Sequence, residues 1–245
     1  RGIGIPELGS AARTQTPIRP TKRFYQVLMP YTSTDRRRAQ YDANGIKLNE
    51  SGGYLAWGWP GYSREDNREE ADPQWMFFDG GKATSRPYLG NKFWCFGMQY
   101  TNDSNSYKFF RFAGALLGRS GAWLQKGDHD MACAYLNEVR RRAGLDPISS
   151  SLDADQLLAE IQDENARELF GEFQRKHDLV RWGLWYEYVV NYNAAAKSDK
   201  TPYGENNTRL RDNIRPCHEY YPIPDEQITY SNGALDNDEY NKYGL

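Results

Sequence analysis

Hydrophobic residues follow a helical spacing in the second half of the chain but not in the first. Residues 1–108 carry dense glycine and proline and no sustained 3.6-residue periodicity, which predicts mainly loops with short helices. One such helix is predicted over 21–29, where apolar residues follow a Pro-Thr start. From Phe109 onward, apolar residues recur three and four positions apart. The pattern therefore predicts a mainly α-helical chain with its regular part in residues 109–245.

Two helices joined by a tight turn are predicted first in this part. One covers about 109–126, and the next runs from an N-cap at Asp128 to Gly144, a residue type common at helix C-termini. The arginines at 140–142 favour an interaction with the helix dipole over an anion site. The hairpin resembles part of a tetratricopeptide repeat, but no second clear copy follows. Three glycines in the first helix predict the close approach of another helix: Gly114, Gly118 and Gly121.

A third helix is predicted to begin at Asp153, with Gln156 three residues later as in a capping box. Its predicted buried stripe consists of Leu157, Leu158, Ile161, Leu169, Phe170 and Phe173. Gly171 is expected to end it before a fourth helix over about 174–195. After residue 196, prolines, glycines and asparagines predict a tail that wraps irregularly.

Charge and composition argue against several classes of protein. The 31 Lys and Arg nearly balance the 33 Asp and Glu, and a net charge of −2 gives no electrostatic signature of nucleic-acid binding. No stretch approaches the roughly 18–20 apolar residues that span a bilayer. The three cysteines and three histidines lack metal-ligand spacing, and no phosphate loop or nucleophile elbow is present. We therefore predict no metal, no cofactor and no catalytic residues.

Three glutamates at four-residue spacing are the strongest candidates for acid–base chemistry. Glu164, Glu168 and Glu172 share one helix face, and a pair of carboxylates could act as a glycosidase acid and base. An ion-pair lattice with nearby arginines is the favoured alternative. Those arginines are Arg167, Arg175 and Arg181.

Aromatic residues are the unusual feature of the composition, at 14% of the chain. Tyr54, Trp57, Trp59 and Tyr62 lie in a segment rich in glycine and proline, and Trp75 follows nearby. Rings in such a segment have no helical core stripe to explain them, so they are candidates for stacking on a ligand. Packing into an irregular core is the equally weighted alternative.

The motifs of the helical part resemble the C-terminal region of the SusD/RagB family, the surface glycan-binding lipoproteins of Bacteroidetes nutrient uptake. The matching segments are Phe110–Ala113, LNEVRRRAGL at 136–145, IQDENARELFGEFQRKHDLVRWG at 161–183, YYPIP at 220–224 and DNDEY at 236–240. The chain departs from the family pattern at the glycines of the first helix and at Asn165, where the family usually has arginine. The family's terminal Asn-Pro-Gly is replaced by Asn-Asp-Glu at 237–239.

The resemblance implies a SusD-like helical fold with a tetratricopeptide-like hairpin and extensive irregular loops. It divides the chain into a loop-rich region, 1–108, with the candidate aromatic loops, and a helical region, 109–245. It further implies a non-enzymatic protein that captures oligosaccharide or polysaccharide for a SusC-like TonB-dependent transporter. Such proteins lie on the outer-membrane surface, held by an N-terminal lipid anchor that this chain lacks. Because the chain starts at Arg1 rather than Met, we expect a piece of a longer protein whose other half could hold the main ligand site.

Within that resemblance, Asp178, Arg181 and Trp182 are expected to be structural. The charged pair would fasten helices together, and the indole would fill the core. Two alternatives to glycan capture remain: a tetratricopeptide-type protein-interaction scaffold, and a peptide-binding member of the same family.

Overall fold

The fold is mainly helical, as the sequence predicted. The computed structural model describes residues 23–29, 33–37, 109–193 and 213–245, together with the backbone of 55–56 and 88–89. The chain divides into two compact units, Arg1–Arg175 and Lys176–Leu245. The proposed division at 108/109 stays a prediction.

The predicted helical hairpin is present in the first unit. Helix α1 spans Phe112–Gln125 and helix α2 spans His129–Ala143. The Asp128 side chain accepts a hydrogen bond from the Met131 amide at 2.9 Å, which caps the start of α2. Gly144 ends the helix with a left-handed φ of 73°. Both predicted limits of α2 are therefore confirmed.

Helix α3, Ala154–Glu168, packs against this hairpin and completes the core of the first unit. Asp153 and Gln156 form the predicted capping box, with the Gln156 amide 2.8 Å from the Asp153 carboxylate. The buried core residues are Leu117, Leu124, Ala132, Cys133, Leu136, Val139, Leu157 and Ile161. The core thus draws on all three helices.

The end of α3 differs from the predicted stripe. The helix stops at Glu168, and Gly171 follows with a left-handed φ of 74°. Phe170 still packs inward, its ring centroid 4.1 Å from that of Phe24. Phe173 is 66% exposed, so the prediction that it belongs to the buried stripe is wrong. The turn at Gly171 redirects the chain before Phe173 can follow the helical register.

Two smaller elements precede the helices. Phe24–Leu28 forms a π-helical turn within the predicted 21–29 helix, and Phe24, Leu28 and Met29 are buried. Strands β1, Leu55–Ala56, and β2, Tyr88–Leu89, pair antiparallel with Leu55 opposite Leu89.

Among the described residues, the glycines of α1 make no close helix contact of the kind that was predicted for them. A methyl group on Gly114 would lie 3.9 Å from the Leu169 side chain, an ordinary contact distance. At Gly118 and Gly121 it would meet nothing within 4 Å among the described residues. This part of the chain therefore gives no packing explanation for these two glycines.

The second unit contains short helices instead of the single fourth helix that was predicted. Helix α4, Arg175–Arg181, ends before Gly183, whose φ of 69° stops α-helical geometry, and α5 spans Trp185–Tyr188. A π-helical turn, Val189–Asn193, follows α5. Leu179, Trp185 and Ile214 form the core of this unit.

The described C-terminal segment, residues 213–245, consists of short helices and irregular turns. That it wraps, as the sequence predicts, stays a prediction. It contains a 3₁₀ turn, Pro216–Glu219, then helix α6, Asp225–Tyr230, and helix α7, Asp238–Asn241. Neither α6 nor α7 buries a residue. Within the described parts of the chain, every helix is too short or too polar to cross a bilayer.

Candidate functional site

Ten charged side chains form a connected set of ion pairs between the 33–37 segment, helices α2 and α3 and residues that flank the helices. They are five arginines, Arg37, Arg111, Arg140, Arg142 and Arg167, and five carboxylates, Asp35, Glu160, Glu164, Glu168 and Glu172. We call this set the charged cluster. Its formal charges cancel, which is what an interior position requires of ionised groups.

Arg37 is the central cation of the charged cluster. Its guanidinium lies 2.6 Å from Asp35, 2.6 Å from Glu164 and 2.8 Å from Glu168. The side chains of Arg37, Asp35, Glu164 and Glu168 are each no more than 2% exposed. One buried guanidinium therefore joins the 33–37 segment to helix α3.

Glu168 receives the largest share of positive charge. Besides Arg37, it accepts a hydrogen bond from Arg111 Nη1 at 2.6 Å and another from Arg142. Burial alone would raise the pKa of Glu168, but these three arginines outweigh it and hold the pKa below its usual range. Glu168 is therefore an ionised group of the interior.

The other two glutamates of this helix face are also paired. Glu164 lies 2.9 Å from Arg167 and 3.4 Å from Arg140, and Glu172 lies 2.9 Å from Arg111. Burial lowers the pKa of Arg140, although nearby Glu164 acts in the opposite direction.

The arrangement confirms the ion-pair lattice. A glycosidase acid needs a raised pKa, whereas the pKa of Glu168 is lowered and its carboxylate is occupied by arginines. One predicted partner, Arg181, lies outside the lattice because it pairs with Asp178, and Arg175 donates to the Gln162 carbonyl at 3.0 Å. Arg37 was missed: it is 127 positions from Glu164, and no local spacing connects them.

The 140–142 arginines act mainly through side-chain pairs. Arg140 and Arg142 bind the glutamates of α3, and the Arg140 Nε also donates to the Asp146 carbonyl at 2.8 Å. Interaction with the helix dipole is therefore a secondary role of this run.

The Asp178–Arg181 pair does not fasten two helices. Both residues lie in α4, their atoms are 3.0 Å apart, and the Arg181 side chain is 57% exposed. That part of the prediction is wrong. Trp182 is partly buried against the Leu179 cluster, with the Arg181 guanidinium 5.1 Å from its ring centroid.

The predicted aromatic ligand site falls outside the described residues. This holds for all five candidates, Tyr54, Trp57, Trp59, Tyr62 and Trp75. Their role as ligand contacts stays a prediction.

A pocket of about 420 Å³ opens beside the charged cluster, between the start of α1 and the end of α2. We call it the α1–α2 pocket. Its lining includes Arg111, Phe112, Leu116, Glu138, Val139 and Arg142. Phe112 is 75% exposed, and Phe110 two residues earlier is 92% exposed. Over the same described part of the chain, no group of three or more His, Cys, Asp or Glu side chains is arranged so that it could hold a metal ion.

Comparison with known proteins identifies the family. The SusD family model matches residues 14–240. A SusD-like protein of Formosa agariphila is 29% identical over 143 residues, which are 57% of this chain and 25% of that protein. A crystal structure of a SusD superfamily protein from Bacteroides vulgatus is 28% identical in the matched part, with a TM-score of 0.38. That match covers 50% of this chain and 25% of the Bacteroides vulgatus chain. The chain thus spans about a quarter of the length of these relatives. Because the family model matches nearly all of its residues, the chain belongs to the SusD family.

Proposed function

We propose that this chain is part of a surface glycan-binding protein that captures oligosaccharide or polysaccharide for a SusC-like TonB-dependent transporter. The observation that carries the proposal is the match of the SusD family model over residues 14–240. In this role the protein lies at the outer-membrane surface, held by an N-terminal lipid anchor, and acts without catalysis or cofactor.

The chemistry of the first unit agrees with binding rather than hydrolysis. The glutamates that could have formed an acid–base pair are neutralised by arginines, so the charged cluster has no free acid to protonate a leaving group. Its buried ion pairs hold the 33–37 segment on helix α3.

Ligand contacts are assigned to the aromatic residues of the loop-rich region. Tyr54, Trp57, Trp59, Tyr62 and Trp75 supply rings that can stack on sugar faces, with indole and phenol groups that also form hydrogen bonds. The helical region, 109–245, then acts as the scaffold that carries them.

The test is binding of the chain to a panel of plant, host and microbial polysaccharides, measured by affinity electrophoresis and calorimetry. Trp57→Ala and Trp59→Ala should each abolish or strongly weaken binding. Tyr230→Ala is the matched control, since Tyr230 is an exposed ring on α6, 77% accessible, in the second unit.

The outcomes separate the hypotheses. Binding that is lost in both tryptophan variants and kept in the control supports glycan capture at the aromatic loop. If the folded protein binds peptides but none of the polysaccharides, it would be a peptide-binding member of the family. Retention of a partner protein in place of either ligand would favour the interaction scaffold.

A further inference from the structure

The α1–α2 pocket holds two polar side chains with unused hydrogen-bonding capacity. Arg142 donates one bond, from Nη2 to Glu168, and its Nε and Nη1 have no protein partner among the described residues. Its side chain is 55% exposed. Glu138 is exposed and forms neither a hydrogen bond nor an ion pair with any described residue. A donor fork and an acceptor therefore face the same opening.

Helix geometry places these two groups side by side. Glu138 and Arg142 are four residues apart on α2, so their Cβ atoms lie about 5–6 Å apart on one face. The two polar groups therefore lie on adjacent turns of one helix face, where both can reach the same small ligand. The pair can therefore bind adjacent hydroxyls, with Glu138 accepting and Arg142 donating.

An exposed aromatic ring and aliphatic side chains form the rest of the wall. Phe112 is 75% exposed at the first turn of α1, and Leu116 and Val139 line the pocket behind it. An aromatic face beside planar polar groups suits a ligand with one apolar face and a hydroxylated edge.

The charge balance indicates a neutral ligand. The arginines of the charged cluster, including Arg111 and Arg142 at the pocket, are matched by an equal number of carboxylates. Glu138 is an additional negative charge outside that balance. The pocket therefore has no excess of positive charge to attract an acidic ligand.

We propose that the α1–α2 pocket is a second sugar subsite, which binds a neutral pyranose ring stacked on Phe112 with its hydroxyls held by Glu138 and Arg142. The inference rests on the proposed function, since it adds a contact for the same class of ligand. It places that contact in the helical region, apart from the aromatic loop residues.

The test is calorimetric titration of the full chain with neutral hexasaccharides (cello-, malto-, xylo- and mannohexaose) and with hexagalacturonate as the acidic comparison. Glu138→Ala and Phe112→Ala should each weaken Kd for the bound neutral sugar about tenfold, the change expected on losing one good contact. Among the described residues Glu138 has no partner to lose, and Phe112 is exposed, so both variants should keep the wild-type Tm.

Matched controls come from the same two segments. Arg141→Ala removes a neighbouring exposed arginine that does not line the pocket, and Phe110→Ala removes a neighbouring exposed ring. Both should leave Kd within about twofold of wild type, a shift typical of substitutions outside the contact.

Three results would overturn the proposal, and they differ from one another. If Kd is unchanged in Glu138→Ala and Phe112→Ala while Trp57→Ala no longer binds sugar, the second subsite is refuted and the proposed function still holds. Tighter binding of hexagalacturonate than of every neutral sugar removes the neutral assignment. Absence of binding to any sugar by folded wild-type chain removes both proposals.

Discussion

Replacing Arg37 with alanine should destabilise the first unit by about 3–5 kcal/mol, the cost of breaking a buried ion pair. With Asp35, Glu164 and Glu168, Arg37 forms five charge-assisted contacts, three with Asp35 and one with each glutamate. At about 1.5–3 kcal/mol each, their simple sum would approach or exceed the whole stability of a domain, about 5–15 kcal/mol. Glu164 and Glu168 each keep two other arginines, so the loss falls mainly on Asp35. The cost of breaking one buried ion pair is therefore the appropriate estimate of the stability lost in Arg37→Ala.

The measurement is urea unfolding followed by far-UV circular dichroism. Arg141→Ala is the control, because this exposed arginine at the end of α2 pairs with no described residue. The unfolding free energy of the control variant should lie within about 0.5 kcal/mol of wild type. Arg37→Lys keeps the charge but loses the planar fork, so an intermediate loss is expected. A change of less than about 1 kcal/mol in Arg37→Ala would refute the assignment of Arg37 as the central cation.

The same variant should change the acid sensitivity of the fold. Because the folded-state pKa of Glu168 is lowered, its charge contributes stability that is full above the unfolded value of about 4.3 and is lost as the pH falls through the folded pKa. Arg37 is one of the causes of that lowering. In Arg37→Ala the pKa of Glu168 rises, so acid unfolding should begin at a higher pH. Identical acid midpoints would contradict this account.

Four further predictions concern helix stability and can be measured by urea or thermal unfolding. Gly118→Ala and Gly121→Ala should each stabilise the chain by up to about 1 kcal/mol, since both added methyl groups meet no described residue within 4 Å and alanine favours the helix. Gly144→Ala should destabilise the chain, because the residue has a left-handed φ and the new methyl would lie 2.9 Å from Arg36 Nε. Stability equal to wild type would contradict this clash. Asp153→Ala removes the capping box and should cost about 0.5–2 kcal/mol, whereas Asp153→Asn should keep most of the cap. Arg181→Ala should change stability by less than about 0.5 kcal/mol because its ion pair is exposed and within one helix; a loss above 1 kcal/mol would restore the interpretation that this arginine fastens helices.

Local sequence determined the limits of the helices where end signals are self-contained. Asp128 and Gly144 bound α2, and the Asp153–Gln156 pair starts α3, because each signal acts within one turn of the backbone. The prediction of a single fourth helix was wrong for a related reason. Apolar residues on both sides of Gly183 keep a helical spacing, but the left-handed φ at this glycine breaks the backbone between them.

The sequence predicts that the charged cluster consists of ion pairs, but it does not predict the central partner. The spacing of Glu164, Glu168 and Glu172 shows that they share a face, and nearby arginines indicate ion pairs. The central partner is Arg37, brought in from a segment far away in sequence. Tertiary packing alone decides that pairing, so periodicity and spacing carry no signal for it. The α1–α2 pocket was missed likewise, because it forms only when α1 and α2 pack together.

The residues that reveal the family are largely those that hold the first unit together. The LNEVRRRAGL motif supplies Arg140 and Arg142, and the ELFGE part of the second motif supplies Glu168 and Glu172. Their ion pairs within the charged cluster would serve the same purpose whatever the protein binds. These ion pairs therefore identify the scaffold and carry no information about the sugar. Glu138 lies in the same LNEVRRRAGL motif but outside the charged cluster, so Glu138→Ala should separate binding from folding where Arg37→Ala cannot.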